Sequence, residues 1–220
     1  MPNKILVFMG PPGSGKGTQA KRLGAFLNFK HISSGDLVRR ILASDTVDQE
    51  EKKEVEKSRQ GLLVADWLIY KLVFKEIEKN LQIGHGVILD GVIRNLEQAE
   101  DFFKFFTEKK WLKEVKIVWI SLSDAEAMER LTKRRVCSKC NEIVAYSLET
   151  KDLSACLKCG GELIVRPDDN VETLTKRLKI QGTAAQQPIL EFFRNSGVPV
   201  VEIDGRSAIE KVLEDIKQVV

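Results

Sequence analysis

Histidine is scarce: only two of the 220 residues are histidine, so no histidine-based acid–base scheme is implied. His31, near a strand, and His85, between two glycines, read as a core and a turn residue. An excess of one charge is also missing. With 35 Lys and Arg against 32 Asp and Glu, a net +3 is too mild to argue for a nucleic-acid footprint by itself. Any phosphate binding must come from local arrangement. No segment reaches the roughly 18 consecutive apolar residues that span a bilayer. Glycine and proline interrupt the opening MPNKILVFMG too early for a signal peptide, so a cytoplasmic protein is expected. There is no low-complexity tract and no repeat at a period of roughly 20 to 50 residues.

What is present is the composition of a soluble globular chain, 43% hydrophobic and 30% charged, long enough for one α/β core and a small satellite. Lys4–Met9 is a short apolar run ending at glycine, the pattern of a strand buried on both faces of a parallel sheet. Similar runs at Gly86–Leu89, Val115–Leu122 and Val198–Ile203, and a weaker one at Lys30–Ser33, complete five strands. Helical periods fill the intervals, as at Trp67, Leu68, Lys71, Leu72, Lys75 and Glu76, and the charged run Gln49–Lys57 reads as a solvated helix face. Alternation of this kind predicts an open parallel sheet with chemistry at the carboxyl ends of its strands. From about Val136 to Val165 the alternation stops, marking an insertion.

Directly after the first strand stand Gly10, Pro11, Pro12, Gly13, Ser14, Gly15, Lys16, Gly17 and Thr18, with a helix predicted from near Lys16. Strand, glycine loop and helix together make a phosphate cradle: backbone N–H groups turn inward, the helix N-terminus adds partial positive charge, and the lysine reaches the β and γ phosphates. Gly17 occupies the place where a Ser or Thr usually ligates Mg²⁺, the hydroxyl moving to Thr18. Mg²⁺ keeps its waters readily, so a water-bridged carboxylate can serve, and Asp90 at the end of VILD is the candidate. Asn95 is better placed than Asp90 to cap the following helix.

Four further segments fall in order: Ile32-Ser-Ser-Gly-Asp-Leu-Val-Arg39, Gly61-Leu-Leu-Val64, Leu89-Asp-Gly-Val-Ile-Arg94 with Gln98, and Arg166-Pro-Asp-Asp169. With the glycine loop, and over nearly the whole chain, they resemble adenylate kinases of the long-lid class. The resemblance implies an α/β P-loop three-layer fold with a five-stranded parallel sheet, a core of residues 1–32, 65–133 and 170–220, a monophosphate-binding arm over 33–64 and a zinc-ribbon-like lid over 134–169. It implies transfer of phosphate from ATP to AMP with Mg²⁺, these nucleotides as partners, no nucleic acid or membrane, and a monomer.

Carried over by motif, Ser34 lies next to the acceptor adenine, Arg39 and Arg94 grip the AMP phosphate, and Gln98 reads the adenine edge. The Leu62, Leu63 and Val64 backbone and the loop Gly91, Val92, Ile93 line that pocket. Arg130 and Arg134, expected on one helix face, serve ATP; Arg166 and Arg177 serve the phosphoryl group in transit. Asp168 and Asp169 would close the lid or position arginines, and Ile143, Val144 and Ser207 would approach the ATP adenine or ribose. Planar guanidinium forks suit such work, because the reaction needs no protein nucleophile and the task is to hold two polyanions in line.

Cys137-x-x-Cys140 and Cys156-x-x-Cys159 are two knuckles separated by residues 141–155. In a reducing compartment the spacing fits a tetrahedral zinc site of four cysteines with no place left for water, hence a structural metal; disulfides and an iron–sulfur cluster are the alternatives. Two departures from the family pattern stand out. Val92-Ile93 replaces the usual Phe-Pro, which removes the ordinary ground for a cis peptide and leaves open a kinase of the same fold acting on UMP, CMP or another monophosphate. Pro167 stiffens the exit of the lid. A rival of another class is a zinc-ribbon module binding nucleic acid through Lys139, Lys158 and Arg135.

Overall fold

The computed structural model describes residues 4–44, 48–60, 62–145, 150–166 and 169–220, with Arg59 described by its backbone alone. The chain runs β1 (Ile5–Met9), α1 (Lys16–Leu27), β2 (Lys30–Ser33), α2 (Ser34–Leu42), α3 (Gln49–Glu56), α4 (Asp66–Gln82) and β3 (Val87–Asp90). It continues with α5 (Leu96–Glu108), β4 (Val115–Ser121), α6 (Asp124–Thr132) and three short strands, β5 (Arg135–Cys137), β6 (Ile143–Val144) and β7 (Leu163–Val165). Then follow α7 (Val171–Gln181), α8 (Thr183–Asn195), β8 (Val200–Asp204) and α9 (Ile209–Val219).

The five expected core strands form one parallel sheet in the order β2-β3-β1-β4-β8. Every residue of β1 is buried because both faces are covered. Ile5, Val7 and Met9 join the core with α4, α5 and α8, while Leu6 and Phe8 face α1 and α9. Side chains alternate across a strand, so one pentapeptide anchors both helical layers, each buried aliphatic or aromatic side chain contributing roughly 1.5–3 kcal/mol. The last strand starts and ends later than the apolar run VPVVEI, at Val200 and Asp204. It is an edge strand, so Glu202 and Asp204 lie exposed in it.

Helices α4 and α5 are fixed against each other by aromatic rings. Phe74 stacks on Phe105 with centroids 4.0 Å apart, and Tyr70 and Phe74 meet Phe102 edge-on at 5.9 and 4.9 Å. Offset and edge-to-face rings prefer such geometry, so the ladder sets the register of the two helices and hence of their first turns. As expected for the charged run, α3 buries only Val55.

Residues 135–165 leave the parallel sheet and make an antiparallel one of their own, in the order β6-β5-β7. One expectation is corrected here. Arg130 lies in α6 but Arg134 does not: the helix ends at Thr132, and Lys133 caps it with its N–H on Leu131 O, a tightened turn that launches β5. The two arginines therefore do not share a helix face. Pro167, Asp168 and Gly61 lie outside the described residues. Among the described residues, no helix is long and apolar enough to cross a membrane.

Candidate active site

The phosphate cradle forms where β1 hands the chain to α1. Gly10, Gly13 and Gly15 adopt φ of +151°, +89° and +91°, the left-handed backbone that L side chains avoid, and Gly15 is the N-cap of α1. That N-terminus has neither a side-chain cap nor an acidic residue in its first turn, leaving its N–H groups and dipole for an anion. The Ser14 hydroxyl is buried at 3% exposure and has no hydrogen-bond partner among the described residues. Lys16 Nζ donates to Pro11 O at 3.2 Å, lying back across the loop.

Asp90 reaches the same point from β3, in register with Phe8 of β1 and Ser33 of β2. A Cβ on Gly17 would stand 3.1 Å from Asp90 Oδ2, so a Ser or Thr at position 17 would crowd the carboxylate; glycine there keeps the gap between α1 and Asp90 open. His31 departs from expectation. It is no plain core residue: its Nε2 lies 3.3 Å from Asp90 Oδ2, and since a carboxylate only accepts, the imidazole carries its proton on Nε2. Burial alone would raise the Asp90 carboxyl, but the His31 hydrogen bond and the Lys16 charge outweigh it and hold it below its ordinary value. Lys16 moves down to about 8: loss of solvent is the largest cause, Asp90 opposes it, and Arg94, Arg177 and Arg134 add to it.

Three arginines therefore act on Lys16. Arg94 is half-buried between the loop of residues 91–93 and α2, donating from Nε to Gly91 O at 2.7 Å and from Nη2 to Ser34 Oγ at 2.9 Å, while Ser34 Oγ donates to Gly91 O at 2.6 Å. Arg39 pairs with Asp36 on the half-exposed surface of α2. Arg134 makes a two-pronged contact with the fully buried Asp169, at 2.7 and 2.6 Å, and Arg177 on α7 approaches the same carboxylate at 3.5 Å. Four cations thus face two carboxylates around the cradle, a surplus suited to a polyanion.

The remaining positions spread outward. Gln98 is buried in the first turn of α5, and Leu62 to Val64 lead into α4, with Val64 buried. Val92 and Ile93 are buried and no peptide there is cis. Arg130 donates to Gly205 O at 2.8 Å and to Arg206 O at 3.4 Å, which brings it to the loop carrying Ser207. Ile143 and Val144 form β6, half-buried at the edge of the small sheet, and Arg166 follows β7. Sequence reasoning missed Gln186 altogether. Its buried carboxamide accepts from Gly10 N–H at 3.1 Å and donates to Gln181 O at 2.6 Å, tying the first residue of the cradle to the end of α7. A glutamine inside a helical pattern gives no sign of a partner 176 positions away.

In the small sheet, the sulfurs of Cys137, Cys140, Cys156 and Cys159 all lie within 4.8 Å of one another. Cys137 and Cys159 are 3.4 Å apart and Cys140 and Cys156 3.7 Å. Four thiolates at bonds of about 2.3 Å around a tetrahedral ion would be roughly 3.8 Å apart, so the set fits such an ion. The Cys140 amide lies 3.4 Å from Cys137 Sγ and is the largest influence pulling that thiol down to about 6. Gly161 must be glycine, since a Cβ would stand 2.7 Å from Cys137 Sγ.

A parallel sheet with a glycine cradle, a lysine and converging arginines at its carboxyl edge defines a nucleotide-binding P-loop phosphotransferase. The sequence profile of the adenylate kinase family matches residues 8–198. The chain is similar to adenylate kinase of Caldanaerobacter subterraneus subsp. tengcongensis, 36% identical over 216 residues that cover 97% of this chain and 94% of that protein. It is 42% identical to adenylate kinase of Borreliella burgdorferi over 190 residues, covering 86% and 85%, and 33% identical to that of Rickettsia africae over 217 residues, covering 98% of each. The chain belongs to the adenylate kinase family and is a nucleoside monophosphate kinase.

Proposed function

We propose that this kinase transfers the γ-phosphoryl group of ATP reversibly to AMP, giving two ADP. The observation that carries the reading is that the cradle's Lys16 lies within electrostatic reach of Asp90, Arg94, Arg134 and Arg177, the last two gathered on Asp169. An oxygen of the monophosphate attacks the γ-phosphorus in line as the bond to the β,γ-bridging oxygen breaks, and the protein stabilises charge spread over the group in transit. Gly13 to Thr18 cradle the donor phosphates, and Arg130, Ser207, Ile143 and Val144 border its base and ribose. Ser34, Arg39, Arg94, Gln98, Leu62 to Val64 and Gly91 to Ile93 hold the acceptor; Arg166 and Arg177 serve the moving group.

Mg²⁺ bound to the nucleotide would neutralise phosphate charge, and Asp90, kept ionised in the gap beside Gly17, would hold it through water. Zinc suits the four cysteines as a structural ion. Residues 33–64 form the acceptor arm, and 134–169 a lid whose closure excludes water, the competing acceptor. The reading takes the protein to be a cytoplasmic monomer.

A coupled assay of ATP against AMP, CMP, UMP and GMP tests the substrate. AMP is expected to react with kcat/KM about 100-fold above the others, a discrimination that buried polar contacts readily supply. If AMP yields no ADP while CMP or UMP reacts, the reading is wrong. A second test uses pH. Because the free-enzyme Lys16 loses its proton near 8, kcat/KM for ATP is expected to decline as pH rises through about 8. Stability should move the other way: the unfolded chain keeps this proton up to the ordinary lysine value, so between about 8 and that value the group's contribution to stability rises with pH. A profile flat to pH 10 would remove Lys16 from nucleotide binding.

A further inference from the structure

The first turns of α4 and α5 are joined by a hydrogen bond between two side chains 32 positions apart: Gln98 Nε2 donates to Asp66 Oδ1 at 2.5 Å. On its other side, Gln98 Oε1 accepts from the Arg94 backbone N–H at 2.7 Å. These two contacts determine which way the carboxamide points. A backbone N–H only donates and a carboxylate only accepts, so the oxygen must face Arg94 and the nitrogen Asp66. The reversed amide would set a donor against a donor and an oxygen against an oxygen.

Gln98 is 1% exposed, so a flip would also strand polar groups out of reach of water. The aromatic ladder keeps the partners in place. One turn beyond Asp66 and Gln98, Tyr70 meets Phe102 at 5.9 Å, and Phe74 packs on Phe102 and Phe105 beyond that. Asp66 itself follows Leu62–Val64 by two residues, whereas Gln98 follows the Gly91–Arg94 loop; their bond ties together the two stretches assigned to the acceptor pocket.

We infer that Asp66 is a positioning residue for base selection: it holds the Gln98 carboxamide so that the second Nε2 hydrogen is what the acceptor base meets. This rests on the reading above that Gln98 faces that base. With one Nε2 hydrogen given to Asp66 and one Oε1 lone pair to Arg94, the nitrogen has one hydrogen left to donate, and that hydrogen asks for an unprotonated ring nitrogen. Adenine N1 and cytosine N3 are such acceptors. Guanine N1 and uracil N3 carry hydrogens and would meet donor with donor, leaving both unpaired. The bond that Oε1 accepts from the Arg94 N–H polarises the amide and strengthens its N–H donors, while Asp66 aims them.

Asp66 has a structural role from which this must be separated. It is the acidic residue in the first turn of α4, whose N-cap, Ala65, has no side-chain bond, so its charge favours the helix dipole. Asp66→Ala loses both the charge and the acceptor, whereas Asp66→Asn loses the charge but keeps an oxygen that can take the Gln98 hydrogen. Steady-state kinetics with AMP, CMP, GMP and UMP, and thermal melts, are measured for both variants and for Gln98→Leu.

For Asp66→Ala, KM for AMP is expected to rise about tenfold, the worth of one hydrogen bond, with kcat within about twofold, KM for ATP unchanged and the AMP-to-GMP ratio of kcat/KM down about tenfold. Asp66→Asn should keep KM for AMP and the ratio within about twofold of the parent; both variants melt lower, Asp66→Ala the more so because it also leaves the buried Gln98 donor unpaired. If Asp66→Asn behaves like Asp66→Ala, the charge matters and the positioning role is overturned. If Gln98→Leu raises KM for AMP while Asp66→Ala does not, the role is overturned and the acceptor site stands. If Gln98→Leu leaves KM for AMP unchanged, the acceptor-site reading fails and this inference with it.

Discussion

Lys16→Ala is expected to lower kcat by about three orders of magnitude while the protein stays folded. The lysine belongs to the cradle and acts electrostatically on Asp90, and its one hydrogen bond among the described residues is to Pro11 O. That bond spans five residues and ties down no other element, so its loss does not loosen the sheet. In the transition state the same ammonium would face charge developing on the transferred group, where removing one well-placed donor costs roughly 10²–10³ in rate, or about 3–4 kcal/mol. The folded chain holds this ammonium at a cost, as its lowered pKa records, and alanine relieves that cost. The melting temperature should therefore stay the same or rise slightly. Lys16→Arg is not expected to rescue activity, because a planar fork cannot take the place of a compact ammonium beside Gly17 and Asp90. Retention of more than a tenth of the parental kcat in Lys16→Ala would remove the lysine from the reacting phosphates.

The opposite trends of activity and stability at this residue belong to a wider pattern. Around the cradle the protein gathers like charges, Lys16, Arg94, Arg134 and Arg177, and tempers them with two carboxylates, Asp90 and Asp169. Asp169 is fully buried and engages arginines from both ends of the inserted sheet, Arg134 before it and Arg177 after it. This carboxylate holds the two guanidiniums together, and on the proposed function a phosphate arriving between them would meet groups already gathered for it.

The parts of this site legible in the sequence were those whose chemistry is local. The glycine loop is contiguous, its lysine has fixed spacing, and the strands that flank it are runs of apolar residues because both faces of a central parallel sheet are covered. The edge strand was placed less well, since Glu202 and Asp204 face solvent and interrupt the apolar signal. What could not be read were single polar side chains whose partners are remote: His31 with Asp90 at 59 positions, Asp66 with Gln98 at 32, Gln186 with Gly10 at 176. Taken alone, each looks like an ordinary core, solvated or capping residue, and only the fold brings its partner. Arg134 was misplaced for a different reason. Helix ends depend on how the last carbonyls are satisfied, and the turn at Lys133 has no glycine or proline to announce it.

The second large effect concerns the four cysteines. Beyond Cys137 and Cys156, Val136 is the one buried hydrophobic residue among those described in 135–165, too little for an independent core. Hydrogen bonds help: Arg135 donates to the carbonyls of Thr150, Lys151 and Leu153, pinning the loop between the knuckles. A cross-link closing the loop of residues 141–155 is worth roughly 3 kcal/mol by chain entropy, so its loss should outweigh what these bonds hold. Cys156→Ala is expected to take bound zinc from about one ion per chain to near none, because three thiolates hold a structural ion far less well than four. The amides of β5 and β7 should lose hydrogen-exchange protection by about two orders of magnitude, the equivalent of that 3 kcal/mol. Amides of the parallel sheet should keep theirs, and kcat should remain measurable, since Lys16, Asp90 and Arg94 belong to that sheet and the loops it carries. Chelation of the parent protein is expected to reproduce the same local loss. Exchange in β5 and β7 that is indifferent to chelation would mean that the cysteines hold no structural metal.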